Sequence, residues 1–236
     1  MAKDKRLPSR SARADVNAFL DRVATTPSPT VVGERGRLIF ALDATASRQP
    51  TWEQATQIQA EMFTETSALG GLEVQLCFYR GYREFSFSPW YSDSDALLRR
   101  MTSVFCLGGL TQIGRVLRHA IRQTKENKVD ALVFVGDCVE EDVDRLCDFA
   151  GQLGIHGVPA FLFHEGRDPR AARAFDQIAE LTDGACCPFD ANSPRQLKEL
   201  LSAVAVYAAG GHKALRDFSA DKSDVVRRLT HQLNRK

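Results

Sequence analysis

Residues 37–43 read Arg-Leu-Ile-Phe-Ala-Leu-Asp, an apolar run that ends in a carboxylate. A run of this length, bounded by polar residues, is typical of a buried strand and too short for a helix. Because successive side chains of a strand point to opposite faces, the run predicts a central strand that is covered on both sides. Asp43 then marks the carboxyl end of that strand, where open α/β sheets form their binding sites.

Apolar runs alternate with helical stripes along the rest of the chain. Strands are predicted at residues 37–43, 72–79, 84–87, 131–135, 158–163 and 185–188. Helices are predicted at residues 51–67, with Thr51 as N-cap, and at 93–101, 112–124, 140–153, 169–181 and 193–209. This alternation predicts a Rossmann-like, doubly wound and mostly parallel α/β sheet with helices on both faces. The short turn before residue 84 predicts one antiparallel edge strand.

The sequence divides into three predicted units: an N-terminal amphipathic helix with a linker, an α/β domain, and a basic C-terminal helical extension, at residues 1–30, 31–210 and 211–236. Phe19 and Val23 lie on the apolar face of the first helix. Ser193 is the predicted N-cap of the last helix of the domain, and Gly210 is expected just past its end. Spacing around Leu229 predicts a further amphipathic helix in the extension.

Composition narrows the class of protein. The 236 residues are 44% hydrophobic, and the net charge of +1 hides a body of net charge −6 between two basic ends. A nucleic-acid partner is therefore not expected. The sequence contains no apolar stretch of membrane-spanning length and no secretory h-region, so we expect a cytoplasmic protein without a membrane span. The six cysteines form no C-x-x-C pair, and disulfides are not expected.

Oxygen-bearing side chains follow two of the central strands and occupy a glycine-containing loop between them. They are Asp43, Thr45, Ser47, Thr111 and Asp137. The carboxyl ends of parallel strands meet at one edge of a sheet, so these side chains are expected near one crevice. Hard oxygen donors without nitrogen or sulfur favour Mg²⁺ over zinc.

Three segments, in this order, resemble the von Willebrand factor A (vWA) domain family. They are D-A-T-A-S at 43–47, G-G-L-T at 108–111 and V-F-V-G-D at 133–137. The family carries a metal-ion-dependent adhesion site (MIDAS) with the pattern D-x-S-x-S, a later threonine and a later aspartate. This sequence departs from the pattern in two ways: Thr45 replaces the first serine, and Cys138 stands where the family often has glycine.

The resemblance implies a function as well as a fold. The five residues would hold Mg²⁺, with Mn²⁺ or Ca²⁺ as alternatives, directly or through water. One coordination position would stay open for an Asp or Glu of a partner protein, and the chain would have no catalytic activity of its own. Family members inside bacterial cells serve multiprotein machines, including ATPase complexes, so the resemblance also implies a partner of that kind.

Two alternatives stay open at the level of sequence. A haloacid-dehalogenase-like phosphotransferase would use Asp43 as nucleophile, Asp137 and Asp142 as its acidic metal motif, and Lys125 or Lys128 as its lysine. The residue two positions after Asp43 is a threonine, so the usual general acid of that family is missing. A plain scaffold with a degenerate, metal-free site is the other alternative. Arg48, next to the first motif, is expected to be a solvated surface charge.

Overall fold

A computed structural model describes residues 18–19, 22–23, 35–189 and 194–222. Its centre is one six-stranded sheet in the order β3-β2-β1-β4-β5-β6. The strands are β1 (Gly36–Asp43), β2 (Leu72–Arg80), β3 (Glu84–Tyr91), β4 (Ala131–Gly136), β5 (Ala160–Glu165) and β6 (Ala185–Phe189). All neighbouring strands are parallel except the β2–β3 pair. The predicted mostly parallel sheet with one antiparallel edge strand is confirmed.

Helices cover both faces of the sheet. They are α1 (Gln49–Ile58), α2 (Ala60–Thr66), α3 (Ser94–Thr102), α4 (Ile113–Glu126), α5 (Val143–Ile155), α6 (Pro169–Leu181) and α7 (Pro194–Lys222). Side-chain alternation along β1 assigns Leu38, Phe40 and Leu42 to the core under α1, α2, α3 and α7. Ile39 and Ala41 point to the second core, under α4, α5 and α6. The central strand is therefore apolar on both faces because each face is covered by helices.

The first predicted helix differs from the observed structure. A 3₁₀ turn (Ala46–Arg48) precedes α1, and the helical segment is divided into α1 and α2 at Gln59. Pro50 lies in the first turn of α1, where a missing N–H costs nothing, so the helix begins before the predicted N-cap. Thr51 does not cap the helix; its buried hydroxyl donates a hydrogen bond to Glu165.

Two residues of the predicted N-terminal helix belong to the core of the domain. Phe19 and Val23 are fully buried. The Phe19 ring lies edge-on to Phe161 and Phe163 of β5, with centroid distances of 6.1 and 5.3 Å. This contact shows that the apolar face predicted from the spacing packs against the sheet. The predicted linker at residues 25–30 lies outside the described residues.

The last helix changes direction where the sequence predicts its end. Gly211 has φ 66° and ψ −161°, a conformation outside the helical region that is available to glycine. The chain then continues as helix, and Leu215 is buried in the same core as the first half of α7. The predicted cap Ser193 and the apolar positions around Leu229 lie outside the described residues. None of the helices in the described part of the chain has an apolar stretch long enough to cross a lipid bilayer.

Replacement of Phe19 by Ala is expected to lower the free energy of unfolding by about 3–5 kcal/mol, because the ring is removed from a fully packed site. Urea unfolding followed by circular dichroism measures the change. Ala18, which is exposed one position earlier, provides the control: Ala18→Ser should change the stability by less than about 0.5 kcal/mol. Equal urea midpoints for Phe19→Ala and the wild type would show that this segment does not stabilise the domain.

Candidate metal centre

The strand order places two of the predicted site residues at the switch point of the sheet. The chain leaves β1 toward β2 on one side and returns to β4 on the other, so a crevice opens between the ends of β1 and β4. Leu42 pairs with Val135 in the β1–β4 register. Asp43 follows Leu42 directly, and Asp137 follows Val135 after Gly136, so both aspartates lie at the same edge of the sheet.

Asp43 is the most buried carboxylate at this edge, with 2% of its surface exposed. Its Oδ1 accepts the backbone N–H of Thr45 at 2.7 Å, and its Oδ2 accepts the Tyr79 hydroxyl at 3.2 Å. Burial raises the pKa of Asp43 to about 6; the hydrogen bonds from Thr45 and Tyr79 oppose that rise, and the charge of Asp137 adds to it. The site thus holds a carboxylate that is costly to ionise unless a positive charge is near.

Hydroxyl groups connect this turn to the second carboxylate. Thr45 Oγ1 and Ser47 Oγ are 3.5 Å apart, and Ser47 Oγ is 3.5 Å from Asp137 Oδ2. The other carboxylate oxygen, Asp137 Oδ1, is buried without a hydrogen-bond partner among the described residues. The structure therefore brings together four of the five predicted residues, Asp43, Thr45, Ser47 and Asp137.

Thr111 is buried in the loop before α4, where it forms a reciprocal pair with Glu140. Its N–H donates to Glu140 Oε2 at 2.8 Å, and its Oγ1 accepts the Glu140 N–H at 3.0 Å. Within the described part of the chain no hydrogen bond joins Thr111 to the other four residues. The sequence predicts a helix that begins at Glu140, but α5 begins at Val143 and is capped by Asp142. Glu140 therefore lies before the helix, where it binds the loop at residues 107–112 that carries Thr111, called the threonine loop below.

The threonine loop is seated on the turn between β2 and β3 by a close backbone approach. A Cβ on Gly109 would lie 2.2 Å from the carbonyl oxygen of Gly81, whereas one on Gly108 would meet nothing within 4 Å. Two backbone hydrogen bonds complete the seat, from Leu107 N–H to Ala44 O and from Gly81 N–H to Leu107 O. The loop is thus attached both to the β2–β3 turn and to the first motif.

Arg48 is not the solvated surface charge that the sequence suggests. Its side chain is 11% exposed, and its guanidinium pairs with Asp137 Oδ2 at 3.1 Å and with Glu165 Oε2. Its Nε also lies 3.4 Å from Ser47 Oγ. Glu165 is a site residue that the sequence reasoning missed. The signal was present, since Glu165 ends the strand next to β4, and the carboxyl ends of parallel strands share one edge.

Two further groups beside Asp137 are neutral at physiological pH. Burial, with the neighbouring charge of Asp137, raises the pKa of the Cys138 thiol to about 12. Burial lowers the pKa of His164, which pairs with Gly136 in the β4–β5 register. Neither group therefore supplies a thiolate or an imidazolium here.

The donor set fits a hard divalent cation. Carboxylate and hydroxyl oxygens are the ligands Mg²⁺ takes in proteins, and the buried, unpartnered Asp137 Oδ1 has the character expected of a ligand atom. The hydroxyl contacts of Ser47 are long, at 3.4–3.5 Å, so its oxygen is only weakly engaged by protein groups. No cluster of three or more His, Cys, Asp or Glu side chains in the described ranges is arranged to hold a metal.

The phosphotransferase alternative shares Asp43 and Asp137 with this site, but Asp142 and Lys128 make contacts elsewhere. The side chain of Asp142 caps α5 by accepting the N–H of Arg145 at 3.0 Å. Lys128 pairs with Asp130 at 3.3 Å, and Asp130 in turn accepts the Arg37 N–H at the start of β1. That pair lies at the amino end of the strands, on the opposite edge of the sheet from Asp43.

Solved structures with a similar fold include vWA domains. The SpRpn10 VWA domain has a TM-score of 0.57 at 15% identity, with 71% of this chain and 94% of that chain covered. The vWF domain of the type V pili tip protein Mfa5 from Porphyromonas gingivalis has a TM-score of 0.55 at 10% identity, with coverages of 74% and 95%. The pilus adhesin SpaC from Lactobacillus rhamnosus GG has a TM-score of 0.57 at 10% identity, with coverages of 82% and 31%. At these identities the likeness establishes a vWA-like fold and nothing further.

No sequence profile of a known family matches the chain, and no curated protein sequence matches it. The vWA-like fold therefore rests on the three-dimensional arrangement of the sheet and its helices.

Asp43 is expected to make stability depend on pH. Its folded pKa of about 6 lies above the value near 3.9 of an unfolded chain, so its stabilising contribution is complete below about pH 4 and is lost as the pH rises through 6. The loss amounts to about 3 kcal/mol. Asp43→Asn removes this dependence, so in EDTA the variant should gain about that much relative to the wild type between about pH 4 and pH 7. Urea unfolding at both pH values measures it, and a constant difference would contradict the assignment.

The seat of the threonine loop allows a matched pair of glycine substitutions. Gly109→Ala should displace the loop and lower the free energy of unfolding by about 1–3 kcal/mol, because its Cβ would overlap the Gly81 carbonyl. Gly108→Ala, one residue away in open space, should change stability by less than about 1 kcal/mol. Thermal unfolding compares the two, and equal melting temperatures would show that the close approach is absent in solution.

Proposed function

We propose that this chain binds a partner protein through a divalent cation, with Mg²⁺ as the physiological ion and Mn²⁺ or Ca²⁺ as substitutes. The cation would be held by Asp43, Thr45, Ser47, Thr111 and Asp137, directly or through water. The observation that carries the proposal is the convergence of the first motif on Asp137, whose buried Oδ1 has no hydrogen-bond partner among the described residues.

The charges at the crevice favour this reading. Two carboxylates at neighbouring strand ends repel each other, and burial makes ionisation of Asp43 costly. A bound divalent cation would supply the positive charge that offsets both effects and would attract an acidic side chain of a partner. The three neutral hydroxyls matter because they leave part of the charge of the cation uncompensated, and an incoming Asp or Glu can then add to it.

Arg48 has a supporting role in this proposal. Its guanidinium joins Asp137 to Glu165, so it orients the Asp137 carboxylate and neutralises an acidic group beside it. Thr51 donates to the same Glu165 from the first turn of α1. Arg48 is thus a positioning residue that fixes the direction of Asp137 Oδ1, while the proposed ligands come from the residues on either side of it.

A binding role also agrees with the kind of protein that shares the fold. The similar structures include two vWA domains and a pilus adhesin, and domains with this fold often act as protein-interaction modules. We therefore propose a binding protein without catalytic activity, whose partner presents Asp or Glu and belongs to a multiprotein or ATPase complex. The cytoplasmic location remains a prediction from the sequence.

Addition of Mg²⁺ or Mn²⁺ to protein stripped with EDTA is expected to raise the melting temperature, since a ligand that binds only the folded state stabilises it. Ser47→Ala and Asp137→Ala should each abolish this rise, because each removes a ligand oxygen. Differential scanning fluorimetry over a range of metal concentrations measures the effect.

Asp142→Ala is the matched control, because Asp142 lies in the same acidic segment but caps α5. It should lower the melting temperature of the metal-free protein and leave the metal-induced rise unchanged. Loss of the rise in Asp142→Ala, together with hydrolysis of an aryl phosphate by the wild type, would instead support the phosphotransferase alternative. Absence of any metal effect in the wild type would leave the scaffold alternative. An affinity pull-down with and without chelator, comparing wild type with Asp43→Ala, then tests whether partner binding needs the metal.

A further inference from the structure

A cleft of about 590 Å³ opens beside the threonine loop and shares only Thr111 with the proposed metal centre. Its walls are the β2–β3 turn, the 108–112 loop, the first turns of α4 and the start of α5. Thr111 lines the cleft as well as belonging to the proposed metal centre. The cleft is therefore continuous with the surface on which a partner would approach the metal.

Four arginines line this cleft: Arg83, Arg115, Arg118 and Arg145. In the part of the chain that the structure describes, none of them lies within salt-bridge distance of a carboxylate. Arg115 donates to the Arg83 carbonyl and to Gln112 Oε1, and Arg118 donates to the Gly114 carbonyl, so these hydrogen-bond partners carry no charge. The positive charge of the cleft contrasts with the negative net charge of the body of the chain. The four arginines create a local positive electrostatic potential, which stabilises a bound anionic ligand.

The two acidic residues of the cleft are already used by the fold. Glu141 accepts the N–H groups of Ile113 and Gly114 and so caps the start of α4. Asp142 caps α5 by accepting the Arg145 N–H. Among the described residues neither carboxylate lies within ion-pair distance of a guanidinium of the cleft, although burial raises the pKa of Glu141 and the charge of Arg118 opposes that rise. With four arginines against two carboxylates, the lining keeps a net positive charge.

The cleft also has apolar surface. The guanidinium carbons of Arg118 and Arg145 lie 5.4 and 5.7 Å from the centre of the Phe149 ring. At the rim, Tyr82 is 90% exposed and Leu110 is 67% exposed. Exposed large apolar side chains next to arginines are the composition of protein interfaces, where aromatic residues and arginine are enriched.

We propose that this cleft binds an acidic segment of a partner protein, with at least one aromatic or aliphatic side chain packed against Tyr82 and Leu110. The carboxylates of the segment would pair with Arg115, Arg118 and Arg145. The inference rests on the proposed function in one respect: the segment belongs to the same partner whose Asp or Glu reaches the metal. Charge complementarity and the shared Thr111 are the observations that select this occupant.

The test uses a fluorescein-labelled Glu-Glu-Phe-Glu-Glu peptide and the full chain in EDTA at low salt, with fluorescence anisotropy as the readout. The wild type should bind the peptide saturably, and added salt should weaken binding because the contacts are ionic. Arg118→Glu and Arg145→Glu should each weaken binding by at least about tenfold. The neutral variant Arg118→Gln should have an intermediate effect, and its melting temperature reports whether the fold is intact.

Arg99→Glu is the matched control, since Arg99 is exposed on α3 and makes the same change in net charge outside the cleft. It should change the dissociation constant by less than about twofold. An equal loss in Arg99→Glu, no binding to the wild type, or equal binding of a Lys-Lys-Phe-Lys-Lys peptide would each overturn the proposal. Tighter binding of a single-stranded oligonucleotide than of the acidic peptide would replace the proposed partner with nucleic acid.

The outcomes for the cleft and for the metal centre can be separated. Peptide binding is measured in EDTA, so a failure of metal binding does not affect it. The metal-induced rise in melting temperature is measured without peptide, so it is still observed if the cleft does not bind the peptide. Peptide binding in a protein that shows no response to Mg²⁺ or Mn²⁺ would support the cleft and refute the metal centre.

Discussion

Asp43 is buried at the carboxyl end of β1, beside Asp137 at the end of β4, and this burial is the constraint on which the edge of the sheet depends. A carboxylate withdrawn from water is costly to ionise, and the negative charge of Asp137 adds to that cost. The protein meets part of that cost with two hydrogen bonds, from the Thr45 N–H and the Tyr79 hydroxyl. A bound divalent cation would offset the rest of the free-energy cost of ionising Asp43. The burial that makes this ionisation costly therefore also favours the proposed binding of a cation.

Arg48 shows how the second carboxylate is handled differently from the first. It pairs with Asp137 and with Glu165, so one guanidinium sits between two acidic groups on adjacent strands. Because the pairing uses Asp137 Oδ2, it leaves Oδ1 buried and unpartnered within the described residues. The arrangement links the first motif, β4 and β5 through one side chain. The Arg48 guanidinium therefore leaves Asp137 Oδ1 available as the proposed ligand atom and fixes its direction.

The proposed binding surface extends beyond the metal centre because the threonine loop has two neighbours. Through Glu140 and its own backbone, Thr111 is tied to the segment that leads into α5. Through Gly109, the loop packs on the β2–β3 turn, beside the cleft with four arginines. A partner that contacts the metal would thus meet a positive, partly apolar surface next to it. In this proposal the metal centre and the cleft are coupled because both include the threonine loop, and the coupling needs no conformational change.

The sequence alone determined the succession of strands and helices along the chain and the apolar character of both faces of the central strand, because hydrophobic periodicity is a local property. It also determined the edge of the sheet at which Asp43 and Asp137 lie, because the carboxyl ends of parallel strands share one edge. It also identified the hydroxyls of the first motif by their spacing from Asp43. Only the tertiary structure decided what surrounds them. Arg48 reads as a surface charge in sequence, and its pairing with Glu165, more than a hundred residues away, depends on the placement of β5 beside β4. Likewise, the spacing around Phe19 predicts an amphipathic helix, but only the folded chain shows that its apolar face packs against β5. The physical reason is that periodicity identifies the apolar face of a helix and does not identify the element that covers it.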